Sequence, residues 1–250
     1  MNSMKINFKK SSTGKQITKW YRAKGRNNLP WRENITPYRV WISEIMLQQT
    51  QAKTVVNYFK KFISRYPTFE DFKSASEENV LSLWKGLGFY RRARNLYRAK
   101  EIILKKFSGK LPNSFENLIT LPGIGKSTAG AILSIAYKLP YPILDANVKR
   151  VLTRLFFITD GNEKELWDLS NQILDKTNVD DFQQGIMDLG ATVCTPKNAL
   201  CGECPLNKKC ISFSKGELPT VNVKKINKKN IYLEFEIYEK NQKIFLVKNN

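Results

Sequence analysis

The only four cysteines of this chain stand close together, as Cys194-x6-Cys201-x2-Cys204-x5-Cys210. Thiolates ligate zinc and iron–sulfur clusters, and four of them satisfy either Zn²⁺ or a [4Fe–4S] cluster. The spacing leaves both open: a structural zinc site usually has two short C-x2-C pairs, and only one is present. Four unliganded buried thiols would be a poor use of so tight a group. Disulfides are disfavoured by compartment. Residues Met1 to Lys10 lack the apolar stretch of a signal peptide, and no apolar run approaches a membrane span, so a cytosolic chain with reduced thiols and no membrane partner is expected.

Histidine is absent, which removes His-ligated zinc hydrolases and every Ser–His or Cys–His triad. Acid–base chemistry then falls to Asp, Glu, Lys, Tyr or Cys. Glu44 stands in the apolar run Val-Trp-Ile-Ser-Glu-Ile-Met-Leu. Burial there would raise its pKa and suit it to donate a proton near neutrality; on an amphipathic helix it would simply face solvent. Asp145, in Pro-Ile-Leu-Asp-Ala-Asn-Val-Lys-Arg, is placed to cap the following helix, whose N–H groups and dipole would keep it ionised. A cap alone would explain that residue.

A third motif is Leu121-Pro-Gly-Ile-Gly-Lys-Ser-Thr-Ala-Gly. Its glycines permit a tight turn between helices, and N–H groups at the next helix start can hold a phosphate, with Lys126 adding charge. A Walker loop is excluded by spacing, and a plain αα-turn is the alternative. The formal charge of +20, from 42 Lys plus Arg against 22 Asp plus Glu, favours the phosphate and names a polyanion as partner. Contacts of this kind position a duplex without reading its sequence.

These residues must be held by helices. Thr36-Pro37 is a cap and first turn, and apolar spacing continues through Val40, Trp41, Ile45, Val55, Val56, Phe59 and Phe62, with a break near Gln48-Gln49 and an end at Pro67. Further helices are predicted over Glu77–Lys85, Arg92–Phe107, Ser114–Thr120, Ser127–Tyr137, Asn147–Phe157, Lys164–Thr177 and Asp181–Val193. So many helices with short connections predict an all-α fold from about Lys15 to Cys210. Residues 214–230 read as a basic linker, and 231–250 as a β-hairpin turning at Asn241-Gln242, the start of a truncated second domain.

The segments Leu29-Pro-Trp-Arg, Trp41-Ile-Ser-Glu-Ile-Met-Leu-Gln-Gln-Thr, Gly86-Leu-Gly-Phe-Tyr, Leu121-Pro-Gly-Ile-Gly, Ile143-Leu-Asp-Ala-Asn-Val-Lys-Arg and the cysteine spacing occur in one order over about residues 15–213. Jointly they resemble the MutY adenine DNA glycosylases of the helix-hairpin-helix, endonuclease III superfamily. The resemblance implies a two-lobed fold. One lobe is a six-helix module at about 30–138; the other joins about 15–29 to a cluster-bearing module at 139–213. It further implies that the cysteines hold a [4Fe–4S] cluster, with Lys197, Lys208 and Lys209 nearby to meet phosphate. The terminal β segment would begin a MutT-like domain that helps recognise 8-oxoguanine.

The implied activity is hydrolysis of the N-glycosidic bond of adenine mispaired with 8-oxoguanine or guanine in double-stranded DNA, by a monomeric, nucleoid-associated enzyme. Glu44 matches the residue that protonates the departing, flipped-out base, Asp145 the one that stabilises the oxocarbenium-like sugar, and Asn147 an asparagine near that sugar. Leu47, Gln48 and Gln49 resemble the segment that wedges into the duplex; Trp31, Arg32 and Gln184 resemble residues around the adenine pocket. Gly123, Gly125 and Lys126 belong to the DNA-binding hairpin. Ser127 stands where bifunctional relatives carry a Schiff-base lysine, which implies a monofunctional enzyme. Phe89 replaces the family's usual first tyrosine, keeping the stacking face and losing the hydroxyl. The rivals are a bifunctional endonuclease III-type lyase for oxidised pyrimidines, a thymine mismatch glycosylase and a non-catalytic lesion-binding remnant.

Overall fold

The computed structural model describes residues 10–219, 239–240 and 243–244. Twelve α-helices run through the described residues: α1 Lys10–Lys24, α2 Pro37–Leu47, α3 Ala52–Arg65, α4 Phe69–Lys73, α5 Glu77–Trp84, α6 Arg91–Lys106, α7 Phe115–Leu118, α8 Lys126–Ala131, α9 Ala146–Phe156, α10 Glu163–Gln172, α11 Val179–Asp188 and α12 Ile211–Lys215. Short polar side chains set many of the starts. The Thr36 hydroxyl accepts from Arg39 N ahead of Pro37, and Thr68 with Asp71 and Ser76 with Asn79 form reciprocal capping boxes.

The buried apolar residues form two clusters. One runs from Trp31 to Ile143 under α2–α8, and includes the fully buried Trp41, Trp84, Phe59, Phe62 and Phe72. The other gathers Ile17 of α1 with Leu144 to Leu206. The second lobe is therefore discontinuous in sequence: α1 packs along α11 and returns the N-terminal chain to the later helices. Ile143 and Leu144 are neighbours in the chain yet belong to different cores. The seam between lobes passes directly before Asp145.

Three expected helices shift, and two short ones, α4 and α12, stand where none is expected. The helix expected over Ser127–Tyr137 is α-helical only to Ala131 and then a π-helix over Ile132–Ala136, and the one ending at Val193 becomes π over Leu189–Val193. Apolar spacing does not distinguish α from π over a single turn. The helix expected to reach Thr177 ends at Gln172, because the Asp175 carboxylate accepts from Thr18 Oγ1, Thr177 N and Asn178 Nδ2 and holds a turn there. The short α4 has too few residues to show a period. Helix α12 runs into the stretch read as linker and ends at Lys215 on Gly216, whose φ is +66°. Of the expected hairpin, Glu239–Lys240 pair antiparallel with Lys243–Ile244 around Asn241-Gln242. The rest of the expected linker and β segment, 220–238 and 245–250, lies outside the described residues, as does the turn itself. No helix among the described residues is long and apolar enough to cross a membrane.

Candidate active site and cysteine module

Glu44 projects from α2 into the seam. Its neighbours Trp41, Ile42, Ser43, Ile45 and Met46 are buried, while Glu44 keeps partial exposure. Burial, then the Asp145 charge, raise its pKa from 4.5 to about 7, with Arg32 pulling the other way. The apolar setting therefore wins over the solvent-facing alternative.

Asp145 comes from the opposite lobe as the N-cap of α9; Oδ1 accepts from Val148 N at 2.7 Å, and Oδ2 from Asn147 Nδ2 at 3.4 Å. These bonds favour the anion, but burial outweighs them and its pKa moves upward. The expectation that the cap alone fixes this carboxylate is corrected accordingly: cap and desolvation oppose each other.

Asn147 is pinned from behind. Arg150 Nη2 donates to Asn147 Oδ1 at 2.8 Å and to Gly190 O at 2.6 Å, while Nε donates to Cys194 O at 2.7 Å. A Cβ on Gly190 would stand 2.6 Å from Asn147 Cβ and 2.9 Å from its carbonyl oxygen, so only glycine lets the π-helix approach α9. Arg154, one turn on, donates to Thr195 O at 2.7 Å and lies 3.5 Å from Cys194 Sγ. A continuous polar chain thus joins the first cysteine to Asn147 and Asp145.

The Gly123–Gly125 turn behaves as its sequence requires. Gly123 has φ +84° and packs on Asn95 of α6, and Gly125 caps α8 with its neighbour Lys126 exposed. Ser127 faces inward instead, and its Oγ accepts from Leu144 N at 3.3 Å, one residue from Asp145. Gln48 is committed to this turn, donating from Nε2 to Gly123 O at 3.0 Å and Thr128 Oγ1 at 3.3 Å. Leu47 packs partly buried on the first core. Gln49 and Phe89 point outward, both with left-handed backbone, φ +55° and +51°; Phe89 is 55% exposed. Such a backbone costs about 1–3 kcal/mol at a residue other than glycine and persists only where the surroundings enforce it.

Trp31 is buried in the first core, edge-on to Phe59 at 5.7 Å. Gln184 is buried on α11, one turn before Asp188. Arg32 makes a bidentate pair with the fully buried Asp188, at 2.7 and 2.9 Å, donates to Arg26 O, and lies over the Tyr21 ring. Asp188 also takes Arg26 through N, Nε and Nη2, and both arginines hold its carboxyl below the usual range against the opposing effect of burial. Asp188, Arg150 and Arg154 went unnoticed in the sequence. A signal existed for the last two: basic residues three and seven positions after Asn147 share its helix face.

The four cysteines bracket two 3₁₀ turns, Cys201–Glu203 and Asn207–Lys209, and are all partly buried. Burial first, then the charges of its three partners, would push the free Cys204 thiol up to about 11, so the thiols lie within each other's field. Among the described residues, no three His, Cys, Asp or Glu groups converge as ligands of a single ion. Four thiolates are the donor set that either a zinc ion or an iron–sulfur cluster takes. Of the nearby lysines, Lys197 and Lys208 are exposed, whereas Lys209 Nζ donates to Ser12 Oγ at 2.7 Å and ties the module to α1.

A model described as HhH-GPD superfamily base excision DNA repair protein matches residues 42–175. The chain is 48% identical over 223 residues to an adenine DNA glycosylase of Buchnera aphidicola subsp. Schizaphis graminum, covering 87% of this chain and 64% of that relative. A thermostable thymine-DNA glycosylase structure superposes with a TM-score of 0.76 at 29% identity, over 84% of this chain and 98% of that one. An endonuclease III–DNA complex at 22% identity, covering 84% of this chain and 98% of that one, shares the fold with a TM-score of 0.69. The chain thus spans a little under two thirds of the curated relative it matches, and it shares the overall fold of these structures. With the family model covering more than half its length, the chain belongs to the HhH-GPD superfamily of base excision DNA repair proteins.

Proposed function

We propose that the chain is a monofunctional adenine DNA glycosylase acting, as a monomer, on adenine opposite 8-oxoguanine or guanine in double-stranded DNA. The observation that carries this reading is the pair across the seam: Glu44 lifted to about 7 by burial and by the Asp145 charge. A flipped adenine entering the seam meets Glu44, half protonated near neutral pH, which donates its proton to a ring nitrogen of the base. The glycosidic electron pair leaves with the adenine, and the positive charge left on the sugar is stabilised by the Asp145 carboxylate, oriented by Val148 N and Asn147. Water then adds to the sugar carbon and gives its proton to the Glu44 carboxylate. The products are neutral adenine and an abasic site, and Glu44 is restored to its acid form.

Ser127 offers no amine where a Schiff base would form, and Lys126 lies on the exposed side of the hairpin. This supports hydrolysis without strand cleavage. Cys194, Cys201, Cys204 and Cys210 would hold a [4Fe–4S] cluster, which supplies a redox-capable cross-link for the module and takes no part in the proton transfers. The Buchnera relative's name and the DNA in the endonuclease III structure agree with this substrate. The thymine-DNA glycosylase neighbour favours a second reading, thymine excision from mismatches.

The test is product analysis on duplexes carrying adenine opposite 8-oxoguanine or thymine opposite guanine. Free adenine should appear with the strand intact until alkali is added, and borohydride should trap no covalent adduct. Release of thymine alone, or a trapped adduct, would replace the reading.

A further inference from the structure

Two tips face outward beside the hairpin: the α2–α3 corner carrying Gln49 and the α5–α6 turn carrying Phe89. Beneath both lies one guanidinium. Arg92, the second residue of α6, is only 7% exposed. Its Nη1 donates to the carbonyls of Ile45 at 3.2 Å, Met46 at 2.6 Å and Gln48, the last turn and cap of α2. Its Nη2 donates to Thr50 Oγ1 at 3.0 Å and, across to the other tip, to Gly88 O at 3.2 Å, which also accepts from Trp84 Nε1. The guanidinium plane sits over the Trp84 ring at 5.6 Å and the Phe89 ring at 5.2 Å.

A cation in the first turn of a helix opposes that helix's own dipole. Here the charge instead meets the carbonyl end of α2, where a cation is favourable. The same fork holds the residues on either side of Gln49 and the one before Phe89, both exposed positions with left-handed backbone. It also supports one face of the Phe89 ring, which stays more than half exposed.

We propose that Arg92 is a positioning residue that locks the Gln49 and Phe89 tips into one rigid two-pronged wedge, so that base extrusion depends on it although it touches no DNA. This rests on reading those tips as the parts that enter the duplex. Lysine would keep the charge but, as a point donor, cannot bridge both tips and stack beneath a ring.

The experiment places 2-aminopurine at the adenine position opposite guanine in a duplex and follows its fluorescence on binding, in a Glu44→Gln background that cannot cleave. Duplex binding is read separately by anisotropy, and folding by thermal midpoint. The single variant should bind and brighten the probe. Adding Arg92→Lys should leave binding within about threefold, since the phosphate contacts of the hairpin remain. The rise should fall to less than half, and single-turnover excision by Arg92→Lys alone should slow about tenfold. Equal brightening with and without Arg92→Lys overturns the proposal. If Arg92→Lys does not fold, Thr50→Val decides, because it removes only one of the fork's acceptors: a reduced rise supports the proposal and an unchanged one overturns it. A probe that stays dark in the Glu44→Gln protein, with binding intact, fails the glycosylase reading itself and this inference with it.

Discussion

Replacing Glu44 with glutamine should abolish excision and, at alkaline pH, make the protein more stable. Glutamine keeps the shape of the side chain and removes its charge. In the folded protein Glu44 ionises at about 7, against an ordinary 4.5. At 1.36 kcal/mol per pH unit that gap is ~3 kcal/mol. Partial exposure to water screens it to ~1–3 kcal/mol. The sign follows from the raised pKa. Below 4.5 Glu44 is protonated folded or unfolded, and the penalty is absent; between 4.5 and 7 the unfolded chain ionises first and the native state loses stability; above 7 the loss is complete. Glu44→Gln removes this dependence. For a chain of this size ~1–3 kcal/mol corresponds to a rise in thermal midpoint of about 2–12 °C. The assay is thermal or urea unfolding of parent and variant at pH 5 and pH 8, compared as a double difference. The gain should be present at pH 8 and small at pH 5. An equal difference at both pH values, or a loss at pH 8, would refute the claim that burial and Asp145 hold Glu44 poised as an acid.

Asp145→Asn should cut single-turnover excision by at least ~100-fold, the scale of a lost electrostatic group at a developing charge. Because the Asp145 charge helps raise Glu44, the alkaline limb of the residual pH–rate profile should also move to lower pH; a limb that stays in place contradicts the pairing. Ser127→Lys sets an amine beside Leu144 and Asp145, and borohydride should then trap an enzyme–DNA adduct that the parent does not give. Gly190→Ala drives a methyl into Asn147 and should destabilise the fold by ~1–3 kcal/mol. Its excision rate should fall while duplex binding is retained, and unchanged kinetics would release Asn147 from its assigned role.

The chemistry was more legible in the sequence than the scaffold that tunes it. Glu44 sits among apolar neighbours on a capped helix, so its environment could be read from adjacent positions. The hairpin announced itself through its glycines, of which Gly123 takes a left-handed backbone, φ +84°, that other residues rarely adopt. The seam was not legible, because nothing local separates Ile143 from Leu144; only the packing of α1 against α11 assigns them to different cores. Asp145 was half legible: its cap was evident, while the burial that opposes the cap arises from the other lobe. Arg92 and Asp188 escaped because their side-chain partners lie 42 to 162 residues away along the chain, or because they bond backbone carbonyls that carry no sequence signal. The cysteine spacing leaves zinc and an iron–sulfur cluster open, because both take four thiolates.

The central claim is that Glu44 and Asp145 form one adenine-excising site at the seam. Its most direct test is a single-turnover comparison of parent and Glu44→Gln protein on matched duplexes with adenine opposite 8-oxoguanine, guanine and cytosine. The parent should release adenine opposite 8-oxoguanine and guanine much faster than opposite cytosine, and Glu44→Gln should release none. Equal activity of the two proteins, or no adenine release by the parent from any duplex, would contradict the account.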